Sequence, residues 1–267
     1  MEKEIKSLPP LPGSIVKIQQ LCMENEVNVD ELTKVIESDP MLSANILKAV
    51  NSPLYGMSKE IASIRQAVML FGVFMIRGFA AANAIKKTIP LELSPYGITV
   101  DTLMECSMCQ TALVREWIGA VDASLLPLLA SGTFLMELGK LVASRKLIAS
   151  GEWGIFLAEL REGKPILEVE RCYLGSNSYS VAGMMFEHWN FEPALVEMLG
   201  SVGKTSENEY GKILYVVQEA INIKECLSDE GVAKALQALE QFGFDPIAFK
   251  RAVTLLKANR EASGEKQ

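Results

Sequence analysis

The chain has 267 residues, of which 49% are apolar and 22% charged, a composition that favours a packed globular protein and argues against general disorder. Its formal net charge is −7, with 10 basic and 10 acidic side chains in residues 1–100 and 16 basic and 23 acidic side chains in residues 101–267. No basic stripe that could cover a phosphate backbone is visible, so nucleic acid is not an expected partner.

The apolar segments predict neither a secretion signal nor a membrane span. The N-terminus mixes acidic and basic residues and lacks the apolar segment of a secretory signal. The longest apolar run, Ala67 to Ile76, has ten residues, whereas a membrane-spanning helix needs about 20. Five cysteines, an odd number in a long chain, indicate reduced thiols rather than a disulfide framework. We therefore expect a cytoplasmic protein that does not bind a membrane.

The first clearly predicted helices begin at capping residues. Asn28 followed by Glu31 matches a capping box, and apolar residues of helical period follow it. Asp39 and Pro40 then end this helix, and Pro40 is predicted to begin the next one. Proline suits the first position of a helix, because a backbone N–H there would have no hydrogen-bond partner and proline has none. This second helix is expected to end at the turn-forming cluster that begins at Asn51.

The next predicted helices lead to a linker between two halves of the chain. Ser63 followed by Gln66 matches a second capping box and begins a helix that meets Gly72. A long, mostly apolar helix is predicted over about 73–87. Two prolines then mark a linker over 90–95.

The second half is predicted to be helical as well. Apolar residues recur with the period of a helix, and glycine and proline separate the segments. No stretch alternates apolar and polar residues for long enough to predict a strand. The predicted helices span about 99–118, 123–149 with a break expected near Gly132, 152–162, 165–173, 178–190, 193–202, 207–227, 230–242 and 246–260.

A set of signature residues is spread over about 65 residues of the first half, and a tryptophan in the second half adds to it. The set consists of residues 8–12, Asp39, Pro40, Asn51, Ser52, Tyr55, Gly56, 70–72 and Trp189. Their order and spacing resemble the HDOD domain, a bacterial signalling module related to HD-type metal-dependent phosphohydrolases. The resemblance implies an all-α, multi-helix bundle in which an N-terminal helical subdomain packs on a degenerate HD-like helical core.

The linker and the extent of the resemblance give the expected domain organisation. The N-terminal HDOD helical subdomain is predicted over 1–92 and the degenerate HD-like core over 93–205. The resemblance ends near residue 205, so 206–267 are expected to form additional C-terminal helices packed on the core.

The second half lacks the ligands that the HD metal site of the catalytic relatives would require. Within 132–142, Met136 and Glu137 stand where catalytic relatives have a His-Asp pair before Gly-Lys-Leu, and Ser178 stands where a histidine is frequent. HD chemistry needs at least two imidazoles and two carboxylates around a cation that activates water. The chain contains one histidine, His188, so we expect no HD catalysis, no metal and no cofactor.

Two interpretations of Glu137 and Lys140 remain open. The favoured one is an ion pair at i, i+3 on a helix face. The other is a vestigial pocket, lined also by Met136 and Ser178, that binds a small molecule such as a nucleotide second messenger. Met136 is a poor ligand for a hard cation. Carboxylates alone can hold Mg²⁺, which keeps a residual phosphohydrolase as the least favoured alternative.

Cysteine and histidine offer two further candidate sites. Cys106 and Cys109 form a lone C-x-x-C, which could be redox-active or half of a zinc site. Because a structural zinc site normally needs four ligands and no second cluster follows, packing inside a helical core is favoured. His188, beside Trp189, could be a ligand or a pH-sensitive contact. A position near a helix C-terminus, facing the last carbonyl groups, is favoured.

The expected function is that of a non-catalytic bacterial signalling or regulatory scaffold. The groove between the two helical bundles would bind a protein partner. The family resemblance implies circuits such as motility, biofilm formation and second-messenger control. The rival interpretation, a small-molecule sensor, predicts a concave site near Glu137 and Lys140 on which other polar groups converge. The sequence does not indicate the oligomeric state.

Overall fold

The computed structural model describes residues 1–24, 26–203, 205–262 and 264. Within this part of the chain the fold is all α-helical, as predicted, and the sole β-type pairing is an isolated bridge between Ile221 and Cys226. The helices are α1 (Glu2–Lys6), α2 (Gly13–Cys22), α3 (Val29–Glu37), α4 (Pro40–Val50), α5 (Ile64–Phe71), α6 (Val73–Thr88), α7 (Val100–Val121), α8 (Leu126–Leu135), α9 (Gly139–Ser150), α10 (Trp153–Arg161), α11 (Ile166–Leu174), α12 (Ser178–His188), α13 (Pro193–Gly200), α14 (Glu209–Ala220), α15 (Asp229–Phe242) and α16 (Pro246–Ala262).

Local capping explains why the helices of the first half begin where the sequence predicts. The Asn28 side chain accepts a hydrogen bond from the backbone N–H of Glu31 at 3.0 Å, which satisfies a donor that would otherwise lack a partner at the start of α3. Asp39 caps α4 in the same way, at 3.0 Å from the N–H of Leu42, and Pro40 is the first residue of that helix. Helices α1 and α2, in contrast, lie in a segment for which the sequence analysis predicts no helix.

The break predicted near Gly132 lies a few residues further along the chain. Gly132 lies inside α8, where a Cβ atom would stand 2.0 Å from the Cε of Met198. The absence of a side chain at this position therefore allows α13 to pack closely on α8. The chain leaves α-helical geometry four residues later, in the 3₁₀ turn Met136–Leu138. This turn separates α8 from α9 and aims Glu137 into the interior.

The predicted helix over 207–227 is also too long, because α14 ends at Ala220. A tight turn follows, in which the N–H of Asn222 donates to the carbonyl of Glu225 at 2.8 Å. The carbonyl of Ile221 is bound instead by the side chain of Gln110, at 2.9 Å. A long-range hydrogen bond thus replaces a helical one, which local periodicity cannot reveal.

Helix α6 lies at the centre of the fold. It packs against α2, α4 and α5 on one side and against α8 on the other, and its buried residues include several small side chains that permit this close approach. Helix α12 packs on α9 and α13, and α16 packs along α7. The buried apolar residues form one cluster that extends from Ile5 to Leu256.

The signature residues Asn51 and Ser52 hold the loop that joins α4 to α5. The Asn51 amide donates to the carbonyls of Leu47 and Ile61, both at 2.9 Å, and accepts from the N–H of Ile61 at 2.8 Å. Ser52 accepts from the N–H of Leu54 at 3.4 Å. These side chains replace regular secondary structure in closing the loop.

Tyr55 and Gly56 complete the same loop. The Tyr55 ring meets the Phe71 ring edge-on at 4.9 Å. Gly56 has a φ of +59°, a conformation that glycine adopts without a steric cost. A Cβ atom there would lie 3.0 Å from the Asn259 side chain of α16, so the C-terminal helix packs closely against this loop.

The long-range contacts that join the N-terminal helices to the helices that follow the linker include those of Trp189 and Arg77. The indole N–H of Trp189 donates to the carbonyl of Pro9 at 3.0 Å. The guanidinium of Arg77, in α6, is fully buried and binds the carboxylate of Glu192 with two hydrogen bonds. At these points buried side chains fill the junction between the two bundles. The groove that is predicted to bind a partner between the bundles therefore stays a prediction.

Among the residues that the structure describes, one stretch, Ala123–Ser150, is long and apolar enough to cross a membrane, and 78% of its most apolar window is buried inside the fold. Helices α5 and α6 meet the criterion only together, and they are bent by 120° at their break. A buried core helix has the same length and composition, so these segments are weak evidence for a membrane span.

Candidate functional site

Glu137 is the centre of a buried polar cluster. Its side chain is 0% exposed. One carboxylate oxygen, Oε1, accepts hydrogen bonds from the Gln110 amide at 2.7 Å and from the Tyr179 hydroxyl at 3.1 Å. The other, Oε2, accepts from Lys140 Nζ at 2.6 Å. Three donors from three different parts of the chain therefore satisfy a carboxylate that would be costly to bury alone.

The ammonium group of Lys140 is the positive charge of this cluster and is 1% exposed. Besides Glu137 it binds Ser178 Oγ at 3.0 Å and lies 4.6 Å from the centre of the Tyr179 ring. Burial by itself lowers the pKa of Lys140, but the negative charges of Glu137 and Glu170 outweigh burial and leave the pKa above its ordinary value. The side chain is therefore charged at neutral pH.

Glu170, in α11, is the second carboxyl group of the cluster, and the sequence analysis did not identify it. It accepts from the Tyr96 hydroxyl at 2.8 Å and from the backbone N–H of Ser178 at 2.7 Å. Burial, together with the charge of Glu170, raises the pKa of Tyr96 well above its ordinary value. Burial and Glu137 raise the pKa of Tyr179 in the same way. Both phenols therefore keep their protons and donate hydrogen bonds to carboxyl groups.

Gly139 brings the two sides of the cluster together. A Cβ atom on this residue would lie 1.9 Å from the carbonyl oxygen of Ser178 and 2.7 Å from the backbone nitrogen of Ala182. The start of α9 can touch α12 this closely only because glycine has no side chain. The contact places Lys140, one residue further on, within reach of Ser178.

The candidate residues meet, but in a closed arrangement. The predicted i, i+3 pair between Glu137 and Lys140 forms, and Ser178 joins it. The pair does not lie on the face of one α-helix, because Glu137 belongs to the 3₁₀ turn Met136–Leu138, and all three side chains and that of Met136 are buried. The side chains fill the space themselves, so the cluster is not an open pocket.

The residues present do not fit the metal that HD-type relatives use. The Lys140 ammonium lies against the Glu137 carboxylate, where a divalent cation would meet a like charge. Met136 offers a thioether, which hard cations bind poorly. The single histidine, His188, is exposed at the end of α12. Throughout the described ranges, no group of three or more His, Cys, Asp and Glu residues is placed to hold a metal ion.

The C-x-x-C pair lies inside α7, as the favoured interpretation predicts. Cys106 and Cys109 are buried, and both are free thiols. The thiol of Cys109 is hydrogen-bonded to Cys226, on the turn that follows α14. Sequence spacing gave no signal for this third cysteine.

Two surface cavities lie against the C-terminal helices and away from the buried cluster. One, of about 700 Å³, separates the signature loop around Ser52 from the end of α16 at Asn259. The other, of about 490 Å³, lies between the start of α11 and helices α14 and α15. Neither is lined by the residues of the Glu137 cluster, so these cavities do not supply the concave site that the sensor interpretation predicts there.

Comparison with known proteins gives matches over most of the chain and over one short segment. The family model of the HDOD domain matches residues 8–202. An uncharacterized protein of Treponema pallidum (strain Nichols) is 32% identical over 69 residues, which are 26% of this chain and 14% of that protein. The chain thus spans a small part of the length of this relative.

Solved structures with the same fold cover nearly the whole chain. A virulence factor of Campylobacter jejuni subsp. jejuni is 25% identical, covers 96% of this chain and 97% of its own, and superposes with a TM-score of 0.55. A protein of Marinobacter aquaeolei VT8, named as a signal transduction protein, is 18% identical with a TM-score of 0.69. It matches 98% of this chain and 64% of its own length.

Proposed function

The chain belongs to the HDOD family, and from this premise we propose that it is a non-catalytic signalling scaffold that binds a protein partner in the bacterial cytoplasm. The observation that carries the proposal is the closed cluster around Glu137 and Lys140, at the position of the HD motif. Both carboxylate oxygens of Glu137 and the ammonium group of Lys140 are already bound to other side chains of the cluster.

The energetic cost of opening this cluster supports the absence of catalysis. Removing one partner from a buried ion pair typically costs about 3–5 kcal/mol, because the other charge stays buried without compensation. A metal or a phosphate would have to displace Lys140 from Glu137 and also rearrange Gln110 and Tyr179. The new interactions of the metal or phosphate with the cluster would have to offset that cost before either could bind.

Family membership supports a role in signalling, and so does the name of the Marinobacter protein that shares the fold. Circuits such as motility, biofilm formation or second-messenger control fit this family-level role. The nucleotide-sensor alternative requires a ligand to reach Lys140, which is 1% exposed. The residual-phosphohydrolase alternative requires a ligand set that the cluster does not offer.

Metal analysis combined with an activity assay tests the proposal. The purified chain is analysed for bound metal and assayed for phosphodiesterase activity with added Mg²⁺ and Mn²⁺. We expect neither stoichiometric metal nor turnover. EDTA-sensitive turnover that is lost in a Glu137→Gln variant would overturn the proposal.

Two further measurements separate a scaffold from a sensor. A thermal-shift screen with cyclic dinucleotides and other nucleotides should show no saturable shift, since a ligand that binds the folded state stabilises it. Affinity capture from a bacterial lysate, followed by sedimentation of the purified pair, should yield a stable protein complex. A saturable nucleotide shift without any such complex would favour the sensor.

A further inference from the structure

Two cysteines, Cys109 of α7 and Cys226 of the turn after α14, meet in the fold. Cys109 and Cys106 are 5% and 6% exposed, one helical turn apart on α7, and Cys226 is half-buried on the turn. The thiols of Cys109 and Cys226 are in hydrogen-bond contact. The proposed scaffold function uses none of these thiols.

The backbone holds Cys226 in this position. Cys226 forms the isolated β-bridge with Ile221, and the N–H of the following residue, Leu227, donates to the carbonyl of Ala220 at 2.9 Å. The Gln110 side chain binds the carbonyl of Ile221 at 2.9 Å. Because Gln110 is next to Cys109 in α7, the same hydrogen bond that fixes the turn also fixes the approach of the two thiols.

We propose that Cys109 and Cys226 form an oxidative modification site, at which a peroxide converts the two thiols into an intramolecular disulfide. The sulfur of Cys226 attacks one peroxide oxygen and becomes a sulfenic acid, while the O–O bond breaks and the other oxygen leaves as water with the thiol proton. The sulfur of Cys109 then attacks the Cys226 sulfur and displaces the hydroxyl group as a second water. In sum, two thiols and one hydrogen peroxide give one disulfide and two waters.

The surroundings of the two thiols assign the order of these steps. Cys226 is the more exposed of the pair, so an oxidant reaches it first. The hydrogen bond to Cys226, followed by burial, raises the pKa of Cys109 well above its ordinary range. Both its burial and this raised pKa make Cys109 the less reactive of the two thiols toward the oxidant. The guanidinium of Arg260, 3.7 Å from the Cys109 sulfur, then stabilises the thiolate that must attack.

The geometry of α7 favours a disulfide between Cys109 and Cys226 over one between Cys106 and Cys109. Residues three apart on an α-helix have their Cβ atoms about 5–6 Å apart, whereas a disulfide joins Cβ atoms about 3.8 Å apart. A bond between Cys106 and Cys109 would therefore distort α7. A bond between Cys109 and Cys226 would join α7 to the turn that leads into α15, and so tie the C-terminal helices to the HDOD domain.

Peptide mapping of the oxidised full-length chain tests the proposal. The reduced protein is treated with hydrogen peroxide, its remaining thiols are alkylated after denaturation, and the digest is analysed by mass spectrometry. We expect Cys109 and Cys226 to lose alkylation together, in one linked peptide that dithiothreitol separates. Cys172 is exposed, so its oxidation serves as an internal control for the extent of the peroxide treatment.

Matched variants distinguish the proposed pair from its neighbours. Cys106→Ala should keep the linked peptide, and Cys226→Ala should lose it. The proposal is overturned if Cys109 and Cys226 remain fully alkylated once Cys172 is oxidised, or if fragmentation of the linked peptide, which carries both cysteines of α7, places the bond on Cys106. Because the first readout uses the wild-type chain, it does not depend on how well the variants fold.

Discussion

Replacing Lys140 by methionine should destabilise the fold strongly. Methionine has a similar length, so the substitution removes the charge and leaves little cavity. The Glu137 carboxylate would then remain buried without the ammonium that lies 2.6 Å away. Breaking such a pair typically costs about 3–5 kcal/mol. At about 2–4 °C per kcal/mol for a domain of this size, the melting temperature should fall by roughly 6–20 °C.

A double-mutant cycle isolates the electrostatic part of this loss. Urea denaturation of the wild type, Lys140→Met, Glu137→Gln and the double variant gives the free energy of unfolding of each. The double variant should be more stable than Lys140→Met alone, because it no longer buries an unpaired charge. If the double variant is no more stable than Lys140→Met, the reasoning about the cluster is refuted.

An exposed ion pair supplies the matched control. Lys234 and Glu230 pair at i, i+4 on α15, at 2.7 Å, with side chains 49% and 76% exposed. Solvent screens such pairs, so Lys234→Met should change the free energy of unfolding far less than Lys140→Met does. Equal losses from the two substitutions would mean that the burial of Lys140 does not matter.

Three further predictions concern the packing of the cluster, the signature loop and the response to pH. Gly139→Ala should prevent soluble expression or lower the melting temperature sharply, since its Cβ atom would meet the carbonyl of Ser178 at 1.9 Å. Gly154→Ala in α10, where a Cβ atom meets nothing within 4 Å, should be neutral or stabilising by up to about 1 kcal/mol. Asn51→Ala should cost about 1–3 kcal/mol by leaving loop backbone groups unpaired, and limited proteolysis should then cut the loop 52–62 faster. The free energy of unfolding should fall above about pH 10, because burial raises the pKa of Tyr179, so that the folded state keeps a proton that the unfolded state releases. Tyr179→Phe should flatten that slope in urea titrations between pH 9 and 11, and an unchanged slope would contradict this assignment.

Local signals in the sequence predict the helical framework correctly where a helix is capped by its own neighbours. The side chains of Asn28 and Asp39 cap α3 and α4 by accepting from backbone N–H groups three residues further along the chain, so the pattern can be recognised without knowledge of the fold. The same holds for the missing HD ligands, because a chain with one histidine lacks the imidazoles whatever its fold. The Glu137–Lys140 pair could also be predicted from its i, i+3 spacing.

The burial of that pair and the identity of its partners were decided by the tertiary structure. Glu170, Tyr96 and Gln110 come from separate elements and carry no shared motif, yet each binds a member of the cluster. The end of α14 and the contact between Cys109 and Cys226 depend likewise on hydrogen bonds between residues more than 100 positions apart. Sequence patterns report interactions within a few residues along the chain. Dehydration and long-range hydrogen bonding arise only when distant helices pack together, and these two effects determine the chemistry of the site.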